Sequence, residues 1–263
     1  MSLSFLKCSL VSGVIGAALF AGQVSAAPVY LRSNTGQPWG VNTNETAMNA
    51  AFGAGVWSDL RYETANVATL FSAANRFIFM EGGDTNADEL EAFLGANGAL
   101  IAAWVNGGGS LFVNAAPNEG DGMNYGFGVT LSYPDFDGCD TATAVNAAHP
   151  IFSGVATAYT GSSFCHANVF GAGLTSLIND GSGESTLAEM AVGAGHVMFG
   201  GMTTTNFQDP EADAFNLRVN ILEYGAAQAG QVVPEPNTAL LVAAAALAFA
   251  GRRRQKTAAR ASA

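Results

Sequence analysis

Between Ala27 and Gln231 the chain has no lysine, and its only arginines there are Arg32, Arg61, Arg76 and Arg218. All but one of the 21 acidic residues fall in the same span, giving it a net charge of −16. A surface that acidic repels nucleic acid and anionic lipid headgroups, so neither is an expected partner of this region. Cysteine is also scarce. The chain has three, Cys8, Cys139 and Cys165, too few for a cysteine-rich metal site or a disulfide scaffold. There is no Gly-x-Ser-x-Gly, no P-loop and no Gly-x-Gly-x-x-Gly after a strand, so the usual hydrolase, nucleotide and dinucleotide motifs are missing and no cofactor is expected. His149, His166 and His196 lie too far apart in sequence for a metal motif. Apolar residues make up 49% of the chain, too many for a disordered one.

Charge is also absent from two apolar stretches, one near each end. Met1 to Ala26 predicts a secretory signal peptide. Lys7 supplies its positive region and Leu10 to Ala21 its apolar core. Val24-Ser25-Ala26 supplies small residues for cleavage between Ala26 and Ala27. Such a segment implies the Sec translocon and signal peptidase as partners. Cys8 precedes the apolar core and is badly placed for a lipoprotein. At the other end, Pro234-Glu235-Pro236 stops any helix coming from the preceding domain. Thr238 to Gly251 follows without a charge, then Arg252-Arg253-Arg254. Those 14 residues would span about 21 Å as a helix, short of a bilayer core of roughly 30 Å. The arginines supply a cytoplasmic anchor by the positive-inside rule. The expected organisation is a signal peptide at 1–26, one domain at 27–231, and a tail at 232–263 with a short transmembrane helix at 238–251.

Pro-Glu-Pro, a short apolar run and a basic cluster at the extreme C-terminus resemble the PEP-CTERM sorting signal of exported bacterial proteins. The resemblance implies recognition by exosortase, a membrane-embedded cysteine protease or transpeptidase that cuts at or near Pro234-Glu235-Pro236. It also implies transient tethering in the inner membrane, then the cell surface or an exopolysaccharide matrix of the biofilm kind.

Within the body the periodicity predicts a strand at Val29–Leu31, a helix at Asn42–Phe52, a strand at Val56–Tyr62 and a helix at Ala65–Ala74. Arg76–Met80 predicts a strand buried on both faces. Asn86 is the expected cap of a helix with Leu90, Phe93, Leu94, Ile101, Trp104 and Val105 inward, ended by Gly107-Gly108-Gly109. A strand follows at Ser110–Val113, the rhythm of a parallel sheet. Residues 114–173 carry turn residues throughout and predict loops. Three strands, Leu174–Asn179, Thr186–Val192 and His196–Phe199, and a helix at Ala212–Tyr224 with a Phe215, Val219, Leu222 stripe complete the domain.

Phe77–Met80, Trp104 to Val113, His149 to Val155, Gly193 to Gly201 and the Asn216–Tyr224 helix together resemble the class I glutamine amidotransferase-like fold. That fold is a flavodoxin-like α/β domain, with a mostly parallel sheet flanked by helices. Active members carry a glycine-flanked cysteine on a strand-to-helix elbow. Here Asn114-Ala115-Ala116-Pro117 follows the strand, Cys165 lacks the glycines, and no triad partner is apparent. The resemblance therefore implies a fold without amidotransferase activity.

Three groupings remain. Cys139 and Cys165, the cysteines left after signal removal, are expected to form a disulfide in an oxidising compartment, closing a loop worth roughly 3 kcal/mol. Asp135, Asp137 and Asp140 offer close oxygen ligands of the sort Ca²⁺ takes, but the spacing fails an EF-hand loop, and a solvated acidic loop is preferred. Glu81 and Asp84 follow a predicted parallel strand, and Glu119 comes from the loop after its neighbour, where α/β proteins bind ligands. The function expected from all of this is a non-enzymatic envelope or matrix protein. The alternative is an exported carbohydrate-active hydrolase using Glu81, Asp84 and Glu119.

Overall fold

In a computed structural model of the chain, the described residues are 27–133, 140–161 and 164–230. The signal peptide, the tail with its expected membrane helix, Asp135, Asp137 and Cys139 lie outside them. The first half alternates strand and helix: β1 (Val29–Arg32), α1 (Thr43–Phe52), β2 (Ser58–Arg61), α2 (Val67–Leu70), β3 (Phe77–Glu81), α3 (Ala87–Asn106) and β4 (Ser110–Asn114). The second half is strand-rich: β5 (Gly122–Gly126), β6 (Val129–Ser132), β7 (Thr141–Ala144), β8 (Ala158–Thr160), β9 (Asn168–Gly171), β10 (Thr175–Asp180), β11 (Ser185–Val192) and β12 (Gly195–Gly200), closed by α4 (Glu211–Gln228).

Nine strands form one sheet in the order β2-β1-β3-β4-β12-β11-β10-β7-β8. From β2 to β12 every pairing is parallel; from β12 to β8 every pairing is antiparallel. The sheet is thus mixed, with its parallel half built as the sequence predicted. Every residue of β3 and β4 is buried, as strands covered on both faces require. Alternation along the strands divides the core. Tyr30, Phe77, Phe79 and Phe112 pack with Met48 of α1 and with Leu217, Ile221 and Leu222 of α4. Leu31, Ile78, Met80, Leu111 and Val113 face Leu90, Phe93 and Trp104 of α3.

Several expectations change. The helix expected at Ala65–Ala74 is a single turn. Asn66 caps it by accepting from the Thr69 amide, and the Asn75 side chain ends it by donating to the Thr69 and Leu70 carbonyls. The segment expected to be loops supplies five strands. β5, β6 and β9 form a separate three-stranded sheet, while β7 and β8 extend the large one. Small residues and turn-formers hid these short strands, whose order comes from pairing with distant partners. The inward stripe of α4 is Ala214, Leu217, Arg218, Ile221 and Leu222, with Phe215 and Val219 only partly buried. Asn86 makes no capping bond; the Glu119 carboxylate accepts from the Ala87 and Asp88 amides in its place.

Gly201 fixes where the segment before β9 crosses β12. Its carbonyl accepts from the His166 and Ala167 amides at 2.8 and 3.2 Å. A Cβ there would lie 1.8 Å from the Ala167 carbonyl oxygen. Gly201→Ala is therefore expected to lower the unfolding free energy by about 1–3 kcal/mol, read as a lower urea midpoint at unchanged slope.

Candidate functional site

The parallel strands deliver their carboxyl ends to one edge of the domain, and Glu81 sits at the centre of that edge, 1% exposed. Both its oxygens are engaged. Oε1 accepts from the Gly83 amide at 2.7 Å, and Oε2 accepts from Asn44 Nδ2 of α1 at 3.0 Å. Asn114 Nδ2, at the end of β4, lies 3.3 and 3.2 Å from the two. Arg218 of α4 approaches to 3.7 Å. Glycine is required beside it, since a Cβ on Gly83 would come within 2.9 Å of Oε1.

The partners of Glu81 are bound to each other as well. Asn114 donates to the Met202 carbonyl and accepts from the Met202 amide. Arg218 donates to Asn44 Oδ1 and to the Thr203 carbonyl. Its guanidinium carbon lies 5.7 and 5.8 Å from the ring centres of Phe79 and Phe112, which themselves stack at 4.8 Å. Arg218 thus neutralises part of the buried charge while its flat face covers aromatic core. Burial is the main influence on Glu81 and pushes its pKa up to about 7; Arg218 and the donated hydrogen bonds pull the other way. Burial likewise lowers the pKa of Arg218, opposed by Glu81.

The three carboxylates expected to share a cleft have separate tasks. Glu81 is the buried hub. Glu119 caps α3. Asp84 holds a left-handed backbone (φ 56°), and its Oδ1 accepts weakly from Asn118 at 3.4 Å. Asn114 occupies the end of β4, followed by two buried alanines. Cys165 is buried and disulfide-bonded; Cys139, its expected partner, lies outside the described residues. Asp140 is exposed in a turn. Among the described residues no grouping of His, Cys, Asp and Glu has the arrangement of a metal site.

Sequence reasoning missed two features. Trp39 lies on the rim beside Gly83 and His166; its adjacency to Gly40 in a Pro-Trp-Gly turn was the available signal. On the α4 face of the sheet, by the start of β12, His149 and His196 converge on Glu189, with Nε2 to carboxylate distances of 3.6 and 2.9 Å. Tyr224 donates to the same carboxylate at 2.8 Å. The pairing of β11 with β12 brings Glu189 and His196 together, and no sequence spacing announces it.

Residues 232–254 match the PEP-CTERM protein-sorting motif. The tail accordingly implies an exported protein, held at the membrane during sorting and processed by exosortase. No curated protein matches the chain in sequence. Among solved structures it is similar to a β-galactosidase from Bacillus circulans sp. alkalophilus (10% identity, 78% of this chain and 31% of that one, TM-score 0.47). It is also similar to a cytoplasmic protein of Salmonella typhimurium LT2 (11% identity, 76% and 99%, 0.47) and to a putative ThuA-like protein of Bacteroides uniformis (11%, 78% and 92%, 0.44). The chain spans about a third of the length of the β-galactosidases it matches. Among the described residues no helix is long and apolar enough to cross a membrane.

The raised pKa of Glu81 has a definite sign in stability. Between about pH 4.5, where the unfolded carboxyl releases its proton, and about pH 7, the folded protein retains one that the unfolded chain has lost. Stability from this group is full below that window and is lost as pH rises through it. In urea titrations at several pH values, this contribution should approach about −1.4 kcal/mol per pH unit and vanish in Glu81→Gln. An identical pH slope in the two proteins would contradict the assignment. Glu119→Ala, which uncaps α3, should cost about 1 kcal/mol in the same assay.

Proposed function

We propose that the chain is a non-enzymatic envelope or extracellular-matrix protein, whose acidic α/β domain is exported, tethered through the tail and delivered to the cell surface or the exopolysaccharide layer after exosortase processing. The observation that carries this reading is the sorting motif at residues 232–254. Support for a non-catalytic body comes from the strand ends, where Glu81 is committed to internal partners and Asn114 takes the place of a nucleophile. We also infer a flavodoxin-like parallel half, which the order β2-β1-β3-β4-β12 supports by matching the doubly wound 2-1-3-4-5 arrangement.

The exit of the tail adds an orientation. The Gly230 amide donates to the Gly108 carbonyl, and a Cβ on Gly230 would meet Arg76, so the last described residue sits where β3 and β4 begin. Glu81 and the rim lie at the other ends of those strands. A domain tethered through residues 232–254 would therefore turn its strand-end rim away from the membrane.

Removing residues 232–263 should shift the protein from the cell-surface fraction to the medium or periplasm, and an unchanged partition would overturn the sorting role. Intact mass of the matured protein should show loss of residues 1–26 and a cut near Pro234-Glu235-Pro236. A mass retaining the whole tail would contradict the processing step.

A further inference from the structure

We propose that Trp39 and His166, on the strand-end rim, form a binding site for a neutral sugar unit of a polysaccharide. This rests on the reading of the body as a non-catalytic domain and names its ligand. Trp39 occupies the left-handed region (φ 57°, ψ 25°), a conformation costly for a bulky residue. That strain is spent placing the indole outside the core. Its ring centre lies 5.1 Å from His166 and 5.4 Å from Phe207, and His166 in turn stacks on Tyr133 at 5.2 Å. All four rings are only partly buried, so together they form a half-open aromatic ledge.

The polar atoms of the ledge specify the ligand further. Trp39 Nε1 is a buried donor without a protein partner, and it lies within 3.3 Å of the position a Cβ on Gly83 would take. His166 Nε2 is likewise buried and without a partner. The Pro117 carbonyl, which can only accept, acts on the imidazole against burial, so the proton of the neutral ring is assigned to the nitrogen nearest it and Nε2 is left as an acceptor. Burial lowers the His166 pKa, which keeps the ring neutral. An unpaired donor and an unpaired acceptor on two rings whose centres lie 5.1 Å apart match a hydroxyl group, which can serve both. Aromatic faces beside a hydroxyl-matching pair suit a pyranose, which has apolar C–H faces and a hydroxyl rim. Thr204 Oγ1 and Asn206 Oδ1, next to Phe207, are further buried polar atoms without protein partners. The −16 charge of the domain, with Asp84 close to His166, selects a neutral glycan over a uronate-rich one.

The test is electrophoresis of the full-length protein, in a polyoxyethylene detergent that carries no sugar, through native gels cast with neutral glucan, neutral galactan or a polyuronate. Retardation is expected in a neutral gel and not in the polyuronate gel. Trp39→Ala should weaken the apparent affinity by on the order of tenfold or more, equivalent to about 1.4 kcal/mol. His166→Phe keeps the ring stack but removes the acceptor; it should weaken retardation too, and it carries the test if Trp39→Ala does not fold. Free neutral hexose competing at millimolar concentration would assign recognition to a single sugar unit, whereas retardation that resists it would assign it to several units of the chain; each supports the site. Absence of retardation in both neutral gels, equal retardation in the polyuronate gel, or retardation unchanged in the folded variants would overturn it. Surface partition of the variants reads sorting separately: normal delivery without glycan binding would refute the ledge and leave the sorting role standing.

Discussion

The buried contact between Glu81 and Arg218 is the constraint on which the rest of the domain depends. A carboxylate and a guanidinium withdrawn from water are costly unless their remaining hydrogen-bonding capacity is filled. Here the filling comes from every neighbouring element. α1 sends Asn44, β4 sends Asn114, the turn after β3 sends the Gly83 amide, and the chain after β12 receives Arg218 through the Thr203 carbonyl. Meeting the needs of one buried ion pair therefore fixes the mutual positions of two helices and the carboxyl ends of three strands. The same demand explains the local glycines, because side chains on Gly83 or Gly200 would crowd Glu81 or Asn114.

Legibility in the sequence follows from how local each determinant is. β3, β4 and α3 were readable because apolar runs, a 3.6-residue period and terminal glycines are written within single elements. The PEP-CTERM tail was readable for the same reason, three parts in order within one short segment. Whereas β10, β11 and β12 were readable too, the strands from β5 to β9 were not. Their residues have weak propensities, and pairing with partners tens of residues away gives them their order, as between β6 and β9. Glu81 could be located at a strand end, but its task could not be assigned. Arg218 was one of the domain's four arginines and lay outside the stripe expected for its helix, and only the packing of α4 on Phe79 and Phe112 shows it to be internal. The capping of α3 by Glu119 rather than Asn86 was likewise hidden, since it joins residues brought together by the loop after β4.

The division between body and tail has a physical basis. The domain is acidic, free of lysine between Ala27 and Gln231, and built round a committed polar hub. The tail combines an apolar run too short for a comfortable span with an arginine anchor, properties suited to temporary residence in a membrane. The domain ends at the pole where its parallel strands begin, and the aromatic rim lies at the opposite one. In the function proposed above, attachment and recognition therefore act from opposite ends of a single sheet.

The most direct test of the hub is a double-mutant cycle in urea unfolding, with Glu81→Ala, Arg218→Met and the pair together. Each single change strands a buried partner and should cost about 3–5 kcal/mol, while the double variant should lose less than the sum of the two by at least about 1 kcal/mol. Strict additivity of the two losses would show that Glu81 and Arg218 act independently, and would contradict the dependence of the fold on their contact.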